Sequence, residues 1–326
     1  MSGASPIVLL WAVCLTAVTP SHLLAIPETP APVSSAEDLT DVRKLIDTGR
    51  YIEAESAAKE LIDSHTELSR TPLEKALALD LWVESRWRNG KAWNPGTLEA
   101  AEWSASLKKE VLGSESAAVA DSLFHQARVL DEWARFGEAR VLYDQSIAFY
   151  KSTVDPGDPR PAIAEAYLGG MLVELAHLQA ARPHLEDSLQ ALETAYGPDH
   201  PAVATALVPL AWLEKYARSM DKAQALFERA LSIREAALGP DHPDVAEPLD
   251  GLTRLLWETT SLQAGRQMGR RAEEIRLAVF GPDHPSLVYN YVLLWWTEEP
   301  QKAQVCLDKA KAIAETAYPS DHPMQA

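Results

Sequence analysis

The chain has 326 residues, 47% of them hydrophobic, enough to bury a sizeable core. Its 47 acidic against 30 basic residues leave a formal net charge of −17, which argues against nucleic acid or an anionic lipid surface as partner, since both are gripped by Lys and Arg. Of the two cysteines, Cys14 lies in an apolar N-terminal run and Cys306 stands alone, so no internal disulfide is expected and packing must hold the fold.

The N-terminus comes first. Ile7 to Val18 reads IVLLWAVCLTAV, and a polar break follows from Thr19 to His22. That run is too short for a stable membrane span, which needs about 20 apolar residues. It has the length of a secretory signal, with cleavage expected after Ala25, although no Lys or Arg precedes Ile7. Residues 1–25 are read as a signal peptide and the Pro-rich residues 26–35 as a linker. Export to a periplasm or to the exterior follows if the signal acts; otherwise the chain is cytoplasmic.

From residue 36 onward the chain repeats. GPDHP starts at Gly197, Gly239 and Gly281, each 42 residues from the last, and a frayed PSDHP runs from Pro319 to Pro323. Other positions keep the step: Ala139, Ala181 and Ala223, with Gly265 next, and Tyr143, Leu185 and Phe227. Within a copy the apolar residues recur at three or four, as in Val203, Leu207, Leu210 and Leu213, so each copy is two amphipathic helices and the class is all-α. Seven helix pairs are expected, over residues 36–68, 72–112, 115–154, 160–196, 202–238, 244–280 and 286–317. WNPG (Trp93–Gly96) interrupts the turn of the second, and the last is four residues short, with the loss placed around Glu298 to Gln301.

The repeated phrase reads as punctuation. Its glycine closes one helix in the left-handed conformation, its first proline forbids continuation, and its second opens the next helix. Asp199, Asp241 and Asp283 are expected to accept the orphan N–H groups at that helix start. His200, His242, His284 and His322 sit in different copies, at least a helix diameter of about 10 Å apart, too far to share an ion. No metal, cofactor or catalytic residue is expected. The Gly169–Gly170 pair inside a helix is read as allowing close helix packing.

The alternation of Ala223, Phe227 and Ala230 on one helix face resembles the tetratricopeptide repeat, and LGPDHP with its 42-residue period is similar to the kinesin-light-chain type. The resemblance implies a right-handed α-solenoid of about seven stacked helix-turn-helix repeats. It also implies a concave face, lined by first helices, that grips a peptide or protein partner. The candidate partner-binding residues there are Phe124, His125, Arg128, Tyr167, Trp212, Lys215, Tyr216, Arg254, Trp257 and Trp296, with the three tryptophans partly exposed. The asparagines that clamp peptides in that family are absent, so its peptide preference does not carry over. Asp121, Asp131, Glu247 and Asp250 are expected to favour a neutral or basic segment. The expected function is a non-enzymatic interaction module or scaffold. The alternative is an accessory or truncated segment of a larger protein, or an array self-associating through the uncapped C-terminal end.

Overall fold

The computed structural model describes residues 39–63, 71–259 and 261–318. The segments read as signal peptide and linker, PSDHP with His322 and the C-terminal end fall outside those residues. Among the described residues there are fourteen α-helices, one single-turn 3-10 helix and no strand. They form two compact units divided inside one helix, near residue 165.

In the first unit the helices are α1 (Leu39–Asp47), α2 (Tyr51–Asp63), α3 (Pro72–Arg88), α4 (Pro95–Leu112), α5 (Ala117–Glu132), α6 (Phe136–Thr153) and the start of α7 (Arg160–Glu174). The second unit continues α7. It adds α8 (Leu178–Tyr196), α9 (Pro201–Tyr216), α10 (Met220–Leu238), the 3-10 turn Pro243–Val245, α11 (Ala246–Thr259), α12 (Leu262–Phe280), α13 (Ser286–Thr297) and α14 (Pro300–Ala317). Odd-numbered helices are the first, and even-numbered the second, of seven pairs. First helices also touch the next first helix, α3 against α5 in one unit and α9 against α11 against α13 in the other.

The columns that repeat at 42 are the core. Ala139, Ala181 and Ala223 are fully buried, as are Tyr143, Leu185 and Phe227. A small residue on the second helix lets the backbones approach, and a large one fills the space beside it. Gly169 belongs to this packing, because a Cβ there would sit 2.6 Å from the Leu185 side chain.

Five of the seven turns inside a pair close the same way. At φ of +72° for Gly49, +59° for Gly90, +55° for Ala134, +58° for Ala176 and +64° for Arg218, one residue takes the left-handed conformation. The following N–H reaches back five residues to a helix carbonyl: Arg50 to Leu45, Lys91 to Arg86, Arg135 to Leu130, His177 to Leu172 and Ser219 to Glu214, all at 2.8–2.9 Å. This is the Schellman closure. Ala134, Ala176 and Arg218 adopt it without glycine's freedom, at a cost of about 1–2 kcal/mol each. WNPG lengthens the second pair's connection: Asn94 caps α4 by accepting from the Gly96 N–H, and Thr97 donates its hydroxyl proton to the Lys91 carbonyl. The last pair is four residues short because α13 ends early, at Thr297, and Glu298 and Glu299 alone span a turn that takes three residues, 217–219, after α9.

The junction between pairs corrects one expectation. Gly197, Gly239 and Gly281 do take positive φ, from +77° to +96°, but the helix starts are held by histidine, not by aspartate. Gly-Pro-Asp-His folds as a turn, with the His200 N–H donating to the Gly197 carbonyl and the His242 N–H to that of Gly239. Asp199 then stands at the outer corner, exposed, and the histidine is the residue next to the helix start. His200 Nδ1 accepts from the Ala202 N–H at 3.2 Å, His242 Nδ1 from Asp244 at 3.2 Å and His284 Nδ1 from Ser286 at 3.3 Å. Two of the rings also stack on the end of the preceding second helix, His200 on Tyr196 at 4.2 Å and His284 on Phe280 at 3.7 Å.

Candidate functional site

The four carboxylates expected to favour a neutral or basic segment are latches within the fold. Asp250 accepts from both terminal guanidinium nitrogens of Arg276 and from Asn290 Nδ2. Asp131 accepts from Arg128 at 2.9 Å and from the Tyr143 hydroxyl. Asp121 accepts from the Tyr150 hydroxyl at 2.7 Å, and Glu247 from Arg234 at 2.7 Å. The donors Lys108, Tyr150, Arg234 and Arg276 stand at one position of the second helix, 42 residues apart but for a fully buried leucine, Leu192. Lys108 belongs because it pairs with Asp80, which also accepts from Ser104 and Ser122. Aliphatic in one copy and polar in four, this position ties second helices to first helices.

In the first unit, two of the three candidates are interior. Arg128 is fully buried, bonded to Asp131 and, at 2.9 Å, to Glu132, with its guanidinium 4.8 Å from the Trp87 ring centre. His125 is buried and lies 3.5 Å from the Trp87 indole nitrogen. Burial pulls its pKa below the ordinary imidazole value, against the opposing charges of Asp80 and Glu84. Neither is placed to meet a partner in the folded chain, which corrects the expectation for both. Phe124 is half-buried, edge-on to His125 and tilted against Tyr143.

The second unit brings the other candidates together. Tyr167 is half-buried on α7. On α9, α11 and α13 the rest form one continuous ladder. Trp212 lies edge-on to Phe227 at 5.1 Å and beside Tyr216 at 6.3 Å. Lys215 reaches toward both of those rings, 5.9 and 5.3 Å from their centres, and pairs with Glu258 at 3.0 Å. Glu258 also accepts from Arg254 Nε at 2.7 Å. The Arg254 guanidinium sits 5.0 Å from the Trp257 ring centre and 4.2 Å from that of Trp296, and those two rings stack on each other at 5.0 Å with 15° between their planes. Trp295, 39% exposed, adjoins Trp296 at 6.1 Å.

Burial is uneven along the ladder. Trp212 is only 4% exposed, which corrects its expected exposure: Phe227 of the second helix covers it. Lys215 is buried as well. Burial pulls its ammonium below the ordinary lysine value, Glu258 opposes this, and Arg254 and Arg218 add to it. Burial alone would raise Glu258, but Lys215 and Arg254 hold it below the ordinary carboxylate value. Tyr216, Arg254, Trp257 and Trp296 are partly open. Sequence reasoning missed Glu258 as the shared anion, Trp295 as the most open ring of the ladder, and Trp87 as the seat of Arg128. A signal existed for the first. W-x-x-K at Trp212 and Lys215 becomes R-x-x-W at Arg254 and Trp257 one period on, so ring and cation exchange places and each cation faces the neighbouring copy.

Among the described residues no group of three or more His, Cys, Asp or Glu stands so as to hold a metal ion, and no helix is long and apolar enough to cross a membrane. The model of the tetratricopeptide repeat matches residues 162–236 and 214–278. Residues 162–278 are tetratricopeptide repeats. Among solved structures, similarity is found to the nearly identical TPR-like repeats of a kinesin light chain of Podosopora anserina, at 18% identity over 64% of this chain and 98% of that one, with a TM-score of 0.46. It is found also to BtubC (BKLC) of P. vanneervenii, at 20% identity over 74% and 89%, with a TM-score of 0.49. Aspartyl phosphate phosphatase F of Bacillus subtilis is similar at 12% identity over 90% and 78%, with a TM-score of 0.49. No curated protein matches the chain. Tetratricopeptide repeats stack helix pairs into extended surfaces that serve as scaffolds for protein–protein contact.

Proposed function

We propose that this chain is a non-enzymatic interaction module that holds a segment of a protein partner against the first helices α9, α11 and α13. The observation that carries the reading is the Trp257–Trp296 stack with Arg254 against it. Large rings and arginine concentrate at the energetic centres of interfaces, and these three are locked to one another before any partner arrives, so little ordering entropy is lost on binding. Tyr216 and Trp295 widen the same open surface at its two ends.

The ladder also bears on the partner. The whole-chain charge of −17 disfavours an acidic protein. A basic side chain would find the ring faces taken by Arg254 and the only carboxylate of the ladder, Glu258, shared between Arg254 and Lys215. A neutral segment that packs on the rings fits best. The experiment is capture on the immobilised chain, followed by acrylamide quenching of tryptophan emission with and without the retained partner. Shielding of Trp257 and Trp296, assigned by single Trp→Phe variants, supports the reading. Shielding of Trp103 or Trp133 alone would move the contact away from these helices and sink it.

A further inference from the structure

The three histidines of the repeated phrase perform one task three times, at the starts of α9, of the 3-10 turn that opens α11, and of α13. A backbone N–H can only donate, so Nδ1 must be the acceptor in each, and the ring is the neutral form with its proton on Nε2. A proton on Nδ1 and the capping bond exclude one another. The protonated ring would also add positive charge where helix N–H groups already converge.

Charged groups on every side of these turns are named by the structure. Asp199, Asp241 and Asp283 precede the three histidines. Arg229 of α10 donates to the Pro198 carbonyl at 3.0 Å and to Glu193 of α8 at 2.6 Å. One period on, Arg271 of α12 donates to the Pro240 carbonyl at 2.9 Å and pairs with Glu235 of α10. Arg234 donates to the Asp244 carbonyl and pairs with Glu247 at 2.7 Å. The arginines are each matched by a glutamate. They hold the turns of His200 and His242 closed and keep those two rings in their capping positions, while at His284 the Ser286 hydroxyl stands beside the cap, 2.8 Å from Nδ1.

We propose that the GPDHP junctions are acid-sensitive couplings: protonation of His200, His242 and His284 releases three helix starts together and loosens successive repeats. The sign is fixed by the geometry. Only the neutral ring caps, so this stability is present while the rings are neutral and is lost as acid protonates them. Because α9, α11 and α13 carry the aromatic ladder, acid would also weaken partner binding; that consequence, unlike the coupling itself, rests on the function proposed above.

The test is urea unfolding of the full chain at about pH 7.5 and about pH 5.5, for the wild type and for H200N/H242N/H284N. Asparagine caps a helix through its amide oxygen and does not titrate. The wild type should lose roughly fivefold in folding constant for each cap released, and the triple variant should lose far less. An equal loss in both, or none in the wild type, overturns the proposal. Should the triple variant not fold, ¹⁵N spectra of the wild-type imidazoles at about pH 7.5 decide. Three rings protonated on Nε2 alone are expected, and a ring protonated on Nδ1 contradicts it. Partner release in acid from the wild type but not from the variant would follow if the proposed binding face is also correct, and unfolding data without such release would leave the coupling standing and refute that face.

Discussion

Arg276 of α12 donates two hydrogen bonds to the carboxylate of Asp250 on α11, both side chains almost wholly buried. Asn290 of α13 donates to the same carboxylate, and its amide also donates to the Gly269 carbonyl at 3.0 Å. One acidic side chain thus ties three helices. Breaking a buried pair from one side strands a charge, so Asp250→Ala should destabilise by about 3–5 kcal/mol. The double change Asp250→Leu with Arg276→Met removes both charges and should cost far less. Urea midpoints of the two variants check this, and equal losses would mean that the pair is not the latch described.

Trp212 and Trp257 should part company under substitution. Trp212→Ala empties a packed site against Phe227 and is expected to cost about 3–5 kcal/mol of stability. Trp257→Ala removes a half-open ring and should cost about 2 kcal/mol or less. Thermal unfolding of the two variants side by side measures the difference, and the reverse order would place Trp257 in the core.

The left-handed turn residues give a prediction of opposite sign. Arg218, at φ +64° and exposed, is expected to give way to glycine with a gain of up to about 1 kcal/mol, since the strained conformation costs more than glycine's extra freedom. Gly239→Val, at φ +96°, should lose about 1–2 kcal/mol. Denaturant midpoints decide both. Arg218→Gly falling below the wild type would show that the arginine side chain holds more than its backbone costs.

Glu84 sets a pH limb in the first unit. Burial alone would raise it, but Arg43 at 2.8 Å, Arg88 at 3.0 Å and His125 outweigh burial and hold it at about 2. Its folded value lies below its unfolded one of 4.5, so the stability it contributes is present above that unfolded value and is lost as pH falls toward about 2. Glu84→Gln should be less stable than the wild type near neutrality and should converge with it in strong acid. A constant difference across that range would remove Glu84 as the cause.

Much of the fold was legible because close packing enforces it. The small column at Ala139, Ala181 and Ala223 and the large one at Tyr143, Leu185 and Phe227 stay in step because each fills the other's space, and they are fully buried. The capping residue was misread for a geometric reason: composition favours aspartate at a helix start, but the Gly-Pro-Asp-His turn carries Asp199 to its outer corner and leaves His200 beside the helix. The ten candidate residues divided for a related reason. Helical spacing tells which way Trp212 or Arg128 leans, but whether it is covered depends on Phe227 of α10 or Trp87 of α3, residues whose approach only the folded chain reveals. Asp250 looked like an open acid because its partner Arg276 lies a whole helix away in sequence.

The central claim, that the open rings of α11 and α13 bind a protein partner, is tested most directly by titrating the captured partner against wild type, Trp257→Ala and Trp103→Ala. Trp103 is the control: it is 45% exposed on α4, outside the ladder, with Lys75 4.1 Å from its ring centre. The account predicts that Trp257→Ala weakens binding by about 2 kcal/mol or more, on the order of thirtyfold, as loss of an interface anchor does, while Trp103→Ala leaves it unchanged. Unaltered affinity for Trp257→Ala, in a variant that remains folded, would contradict it.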